Sequence, residues 1–180
     1  KLPLSVKQRE LYSRAIEIFK KRNDPGANVP FKNHLGLLHY LRLICTDPRR
    51  HGLDVFKPEP LAEYRSRAPK LDWLLTELKG IERKGEKVIV FCEFRNIQRL
   101  LQHYIEEEFG LRPDIINGDT AASASHAHSR QKRIRAFQEK TGFGVIILSP
   151  VAVGFGVNIQ AANHVVHYTR TWNPAKEDQA

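Results

Sequence analysis

Apolar and polar residues follow two different rhythms along this chain. In the first 80 residues, apolar positions recur every three or four residues, which is the spacing of one face of a helix. From Lys87 onward, short continuous apolar runs alternate with amphipathic helical stretches. Strands that alternate with helices in this way indicate βαβ units and a parallel sheet. The pattern therefore predicts a helical region followed by an α/β domain.

Three helices are predicted in residues 1–80. The first begins at a capping box formed by Ser5 and Gln8 and ends near Lys20, because its apolar stripe stops there. The second ends before Pro48, since a proline cannot continue a helix. The third carries a leucine stripe and ends at one of two glycines, Gly80 or Gly85. Between the second and third helices, the proline-rich residues 47–69 are predicted to form an irregular connector.

Four short apolar runs predict the strands of the sheet. Continuous apolar character is typical of strands that are buried on both faces of a parallel sheet. Asn96 and Ser129 are suited to cap the helices that follow the first and second strands. The predicted strands are Val88–Phe91, Asp114–Ile116, Val145–Leu148 and Val165–Tyr168.

Charge narrows the classes of partner. The 180 residues include 29 Lys and Arg against 20 Asp and Glu, a net charge of +9, which favours a polyanion, with nucleic acid ahead of a membrane surface. A basic surface that only keeps the protein soluble is the alternative. No apolar run is long enough to cross a bilayer, and the two cysteines form no metal-binding cluster. Cys45 and Cys92 are instead expected to be small buried hydrophobic side chains. Methionine is absent, so we expect the chain to be a piece of a larger protein.

A glycine-containing loop follows the third predicted strand. Gly154 and Gly156 flank Phe155 there, and glycines let a backbone approach a ligand closely or adopt positive φ. Such a loop at the carboxyl end of a strand lies where open α/β sheets bind ligands. A Gly-x-Gly sequence alone is more often a simple turn.

Several segments, in order along the chain, resemble the second RecA-like domain of superfamily-2 helicases. Their sequences are most similar to those of the Swi/Snf-like double-stranded-DNA translocases. In the last forty residues, the sequence is most similar to bacterial members. The matching segments are LRLIC before Pro48, KVIVFCEF at Lys87–Phe94 (motif IV), Ile116–Gly118, Ser149–Ala162 (motif V) and Trp172–Pro174 at the start of motif VI. The resemblance implies a RecA-like, mostly parallel sheet flanked by helices. Residues 1–80 would form a helical linker region, and residues 81–180 the second RecA-like domain, which stops before the motif VI arginines.

The resemblance also implies one wall of an ATP cleft. Motif V positions of the family fall on Gly154, Gly156 and Asn158, which would bind ATP. Asn158 has two possible roles, a hydrogen bond to a sugar hydroxyl or bracing of its own loop. The chain contains no G-x-x-x-x-G-K-[ST] loop and no acidic box for Mg²⁺. The phosphate-binding loop and the Mg²⁺ ligands are therefore expected from the N-terminal RecA-like domain of the same protein, and the arginine fingers from the rest of motif VI after Ala180. This chain alone is expected to be inactive, although the complete protein hydrolyses ATP.

A track for double-stranded DNA is the other expectation that follows from the resemblance. Arg95, Asn96, Gly118, Ser149 and Trp172 stand at positions where family members meet the phosphate backbone. Alternatives are open for two of them, since Asn96 suits a helix cap and Trp172 could cover the end of the sheet. Asp119, which follows Gly118, is acidic and would repel a phosphate. A turn-stabilising role suits it better. Pro150 departs from the family pattern and has no N–H to donate to a phosphate.

Two rival function classes follow from the same residues. A Rossmann-like nucleotide-binding enzyme would need a glycine-rich turn after the first strand, and Phe91–Asn96 contains no glycine. A non-catalytic module that binds nucleic acid or docks on a partner is the second rival, and the residues that flank this chain in the complete protein would distinguish it from a motor domain. The expected location is the bacterial cytoplasm at the nucleoid, or the nucleus if the source is eukaryotic.

Overall fold

The computed structural model describes residues 1–49, 58–120, 129–150 and 159–170. The chain divides into two compact units, Lys1–Trp73 and Leu74–Ala180. In chain order the elements are α1 (Val6–Lys20), α2 (His34–Thr46), α3 (Leu61–Arg67), α4 (Pro69–Arg83), β1 (Lys87–Phe91), α5 (Arg95–Phe109), β2 (Asp114–Ile116), α6 (Arg130–Glu139), β3 (Gly144–Leu148) and β4 (His164–His167).

The first unit is built on the helix pair α1 and α2. The predicted capping box is confirmed, since the Ser5 hydroxyl accepts from the Gln8 N–H and the Gln8 side chain accepts from the Ser5 N–H. The buried Gln8 side chain also donates to the Ile44 carbonyl at 2.9 Å, which joins the start of α1 to α2. The core of this pair consists of Ala15, Phe19, Phe31, Leu41 and Ile44.

The prediction of an irregular connector over residues 47–69 is wrong for its second half, because residues Leu61–Arg67 form the helix α3. Leu61 and Tyr64 lie one turn apart and are both buried, so they give this short helix an apolar side. Two apolar positions are too few to produce a recognisable helical period. The prolines before them suggest a break, yet Pro60 stands at the N-cap, where a missing N–H costs little. Residues 50–57 of the predicted connector lie outside the described residues.

Both cysteines have the role that the sequence predicts for them, that of small side chains packed inside the protein. Cys92 is buried and Cys45 is half-buried. Burial raises the pKa of the Cys45 thiol, although the charge of Lys70 opposes this effect. Both therefore fit the expectation of small hydrophobic side chains.

The end of α4 separates the two candidate glycines. The helix runs through Gly80 to Arg83, and Gly85 follows with φ of +64°. Gly85 thus adopts the left-handed conformation that other residues resist, whereas Gly80 is an ordinary helical residue. The predicted end at Gly85 is confirmed and the one at Gly80 is wrong.

Alanine substitutions at these two glycines should have opposite effects. A Cβ would meet no atom within 4 Å at either position, so backbone conformation alone decides the outcome. Gly80→Ala should raise the free energy of unfolding by about 0.5–1 kcal/mol, because alanine loses less backbone entropy in a helix. Gly85→Ala should lower it by about 1–2 kcal/mol, because alanine resists positive φ. Urea unfolding of both variants beside the parent chain measures the difference, and equal shifts of the same sign would contradict it.

The second unit contains a parallel sheet in the order β2-β3-β1-β4. Leu148 pairs with Phe91 on one side and with Ile116 on the other, so β1, β2 and β3 end level with one another. Every residue of β1 and β3 is buried, as their apolar sequences predict. β4 is half-exposed and begins one residue earlier than predicted, at His164.

Helices lie on both faces of this sheet. Side chains of α6 (Ile134 and Phe137) pack on one face, against Phe91, Ile146 and their neighbours. The chain passes from β1 to β2 in one direction across the sheet and returns from β2 to β3 in the other. Because such crossovers are right-handed, α5 lies on the face opposite to α6. The predicted α/β class is therefore confirmed.

Candidate functional site

The carboxyl ends of the four strands meet at one edge of the sheet, which we call the carboxyl edge. The segments that leave the strands there are 92–94, 117–120, 149–150 and 168–170. Open α/β sheets bind ligands at this edge. Four predicted site residues lie here, namely Arg95, Asn96, Gly118 and Ser149. The other four, Gly154, Gly156, Asn158 and Trp172, lie outside the described residues.

The backbone of the carboxyl edge is hydrogen-bonded one residue beyond the strands. Cys92 N donates to Leu148 O at 2.9 Å, Ser149 N donates to Ile116 O at 2.8 Å, and Tyr168 N donates to Phe91 O at 2.9 Å. Ser149 is only 8% exposed, and its N–H is already used. Pro150 has no N–H, so at this point only the Ser149 hydroxyl is left to donate to a ligand.

Arg95 and Gly118 are brought together by the structure. Arg95 is the first residue of α5, and its guanidinium forms an ion pair with Asp119, Nη1 to Oδ2 at 2.9 Å. A Cβ added to Gly118 would lie 3.5 Å from the Arg95 Nη2 atom, in ordinary contact. Glycine here therefore leaves the guanidinium open on this side. The acidic partner Asp119 is the feature of this pair that the sequence did not predict.

Asn96 is not a helix cap. The N-cap of α5 is Phe94, which provides no side-chain hydrogen bond, and Gln98 N donates to Phe94 O at 2.9 Å. The helix therefore begins at Arg95, and Asn96 is its second residue with an exposed side chain. This correction removes the structural alternative for Asn96 and leaves its predicted role at the DNA track open.

A buried glutamine connects the segments that follow β1 and β2. Gln98 is fully buried; its Nε2 donates to Cys92 O at 2.7 Å, and its Oε1 accepts from Asn117 Nδ2 at 2.8 Å. Asn117 Oδ1 in turn accepts from Asp119 N at 3.0 Å. Sequence reasoning missed this role of Gln98. The available signal was a polar residue one turn before Leu101 on the apolar face of α5.

A threonine hydroxyl joins the segment after β1 to the segment after β4 through a hydrogen bond. Thr169 is buried, and its hydroxyl accepts from Glu93 N at 2.7 Å. Together with Gln98, Thr169 fixes residues 92–94 from two sides. In the described part of the chain, no three His, Cys, Asp or Glu side chains are grouped to hold a metal ion. The carboxyl edge thus presents a guanidinium and a hydroxyl on a hydrogen-bonded backbone, which suits the binding of an anion such as a phosphate.

Comparison with known proteins identifies the family. The model of the helicase conserved C-terminal domain matches residues 69–180, more than half of the chain. The chain belongs to this family. As a helicase C-terminal domain it is 50% identical over 182 residues to the Zorya protein ZorD of Escherichia coli, covering 99% of the chain and 16% of ZorD. It is 30% identical over 180 residues to YwqA of Bacillus subtilis, a candidate ATP-dependent helicase/translocase, covering 99% of the chain and 18% of YwqA. The chain thus spans less than a fifth of the length of these bacterial relatives.

Solved structures place this helicase C-terminal domain in the expected fold. The Swi2/Snf2 ATPase C-terminal domain of Sulfolobus solfataricus matches with a TM-score of 0.73 and 24% identity, over 97% of this chain and 72% of that one. The core of the Sulfolobus solfataricus Swi2/Snf2 ATPase in complex with double-stranded DNA matches with a TM-score of 0.72 and 21% identity, over 98% of this chain and 35% of that one. The predicted RecA-like fold and the resemblance to the second domain of Swi/Snf-like proteins are confirmed.

Proposed function

We propose that this helicase C-terminal domain is the second motor domain of an ATP-dependent double-stranded-DNA translocase. The family, the Swi2/Snf2 fold and the net charge of +9 support the proposal. The observation that carries it is the carboxyl edge, where Arg95 and Ser149 lie on a hydrogen-bonded backbone. Contacts of this kind hold phosphates without reading the base sequence, which is what a motor that moves along DNA requires.

The ATP half of the proposal concerns motif V and a partner domain. Gly154, Gly156 and Asn158 would face the nucleotide, whereas Mg²⁺ and the phosphate-binding loop would come from the N-terminal RecA-like domain of the same protein. Phosphoryl transfer depends on positioned charges and the metal ion. Closure of the two domains on ATP and opening after hydrolysis would move the protein along DNA. In bacteria this activity would take place at the nucleoid.

Among the described residues, no helix is long and apolar enough to cross a membrane.

ATP hydrolysis by the full-length protein should depend on duplex DNA. We expect at least about tenfold stimulation by duplex, and no hydrolysis by the 180-residue chain alone, because transition-state charges must be stabilised by groups that the chain lacks. Arg95→Ala should raise the DNA concentration that gives half-maximal stimulation severalfold. The measurement is steady-state phosphate release with duplex, single-stranded DNA or RNA added in turn.

A matched control for Arg95 lies between the end of α5 and β2. Arg112 is as exposed as Arg95 and is also paired with a carboxylate, Glu106, but it precedes β2 and so lies at the opposite edge of the sheet. Arg112→Ala should leave stimulation unchanged. Equal effects of the two variants would argue against a DNA track at the carboxyl edge. Duplex binding without any stimulated hydrolysis would favour the non-catalytic nucleic-acid-binding module instead.

A further inference from the structure

We propose that Asp119 masks Arg95, so that a DNA phosphate must displace the Asp119 carboxylate before it binds the guanidinium. This inference rests on the proposed function. It adds a residue, Asp119, whose negative charge weakens the binding of DNA to Arg95. The pair joins Arg95 Nη1 to Asp119 Oδ2 at 2.9 Å. A carboxylate and a phosphate oxygen are alternative acceptors for the same guanidinium N–H groups.

The pair is exposed enough to open. Arg95 and Asp119 side chains are 60% and 61% exposed. Exposed ion pairs are weak because water and salt screen them and because two side chains must be ordered. A duplex offers a row of phosphates, so it can replace a single carboxylate. The Asp119 side chain can then rotate into water without leaving a buried charge behind.

The carboxylate of Asp119 is not needed to hold its own turn. The turn is closed by Thr120 N donating to Asn117 O, by Asn117 N donating to the Thr120 hydroxyl, and by Asp119 N donating to Asn117 Oδ1. Gln98 then fixes the Asn117 side chain to the segment after β1. The turn-stabilising role expected for Asp119 therefore belongs to Asn117 and Thr120. The Asp119 backbone is held by this turn, and its side chain is paired with Arg95.

A negative charge at a DNA track has a physical consequence. It lowers the affinity of each phosphate contact and speeds its release. A motor that moves along a backbone must break each contact once per step, so a weakened contact favours movement over tight holding. The masked pair also reduces attraction to other polyanions when no duplex is in place.

Asp119→Asn in the full-length protein tests the mask. Asparagine keeps the shape of the side chain and leaves the backbone bonds of the turn intact. We expect duplex DNA to bind severalfold more tightly at low salt, and we expect this gain in affinity to shrink as salt is raised, because salt screens the charge that Asp119 contributes. Fluorescence anisotropy with a labelled duplex over a range of KCl concentrations measures both quantities.

Asp114→Asn is the matched control. Asp114 is also exposed and also lies near an arginine, Arg133, at 3.7 Å, but it begins β2 and so lies at the opposite edge of the sheet. Asp114→Asn removes the same charge from the protein and should leave affinity and salt slope unchanged. An equal gain in both variants would show a general charge effect and overturn the mask.

The double variant Arg95→Gln, Asp119→Asn separates the remaining outcomes. If Asp119 acts on Arg95, Asp119→Asn gains nothing once Arg95 is replaced. A gain that persists in the Arg95→Gln background, or no gain in the single variant while Arg95→Gln alone weakens binding, overturns the mask and leaves the proposed function standing. A parent protein that neither binds duplex DNA nor is stimulated by it overturns the proposed function itself.

Discussion

Replacing Ile147 with alanine should destabilise the sheet by about 2–5 kcal/mol, the usual cost of removing a fully buried isoleucine side chain from a core. Ile147 is fully buried in β3, and its register partners are Val90 in β1 and Ile115 in β2. The substitution would leave a cavity, and β1 and β2 would lose their packing contacts with the Ile147 side chain. Hydrogen–deuterium exchange of peptides that cover β1 and β3 reads the free energy of opening directly in the unit that is affected.

Val165→Ala is the control for this substitution. Val165 is also a β-branched strand residue, but it lies in β4 and is 51% exposed, so its removal should cost less than about 0.5 kcal/mol. Exchange in α1 and α2, which belong to the other compact unit, reports whether any effect stays local. Equal protection of β1 and β3 in both variants would mean that the sheet core is not where the structure places it.

Much of the sheet could be predicted because its strands are buried on both faces. Continuous apolar runs such as Val88–Phe91 are typical of strands buried on both faces of a parallel sheet, and the structure places such a strand there. The exposed β4 gave a weaker signal and was misplaced by one residue. The short helix α3 was missed because two apolar residues do not make a period. Local patterns therefore succeed where burial imposes one choice on many consecutive residues.

The candidate site was predicted less completely, for a physical reason. The resemblance to the helicase family implied that Arg95, Gly118 and Ser149 meet DNA, and the structure places them at one edge because the ends of parallel strands meet there. The ion pair of Arg95 with Asp119 and the hydrogen bond of Gln98 with Asn117 could not be predicted, since each joins segments that are far apart in sequence. The roles of Gly154, Gly156, Asn158 and Trp172 stay predictions.

The structure of the carboxyl edge also shows what Pro150 does to the hydrogen-bond donors available there. The sequence suggested one lost phosphate contact at this residue. The structure shows that the neighbouring N–H of Ser149 is bonded to Ile116 O, so two consecutive backbone positions are closed to a ligand. At residues 149 and 150, an anion could therefore be bound only through the Ser149 hydroxyl and not through a backbone N–H.

Replacing Asp47 with alanine should have the second large effect, about 3 kcal/mol, in the first compact unit. The Asp47 side chain is 5% exposed and accepts from Arg49 Nε and Nη2, from Arg49 N and from the Tyr64 hydroxyl at 2.9 Å. Removing one partner of a buried ion pair typically costs about 3–5 kcal/mol. The lower end applies because Arg49 keeps part of its side chain in water. Exchange of peptides from α2 and α3 measures the loss.

Asp72→Ala gives the matched comparison, because Asp72 pairs with Arg65 at 2.7 Å but is largely exposed, and such pairs contribute at most about 1 kcal/mol. Tyr64→Phe, alone and together with Asp47→Ala, then isolates one contact. If the buried Tyr64 hydroxyl is stabilised by this carboxylate, the two changes together must cost less than the sum of each alone. Strict additivity, or an Asp47 effect no larger than that of Asp72, would show that burial of this carboxylate does not join the end of α2 to α3.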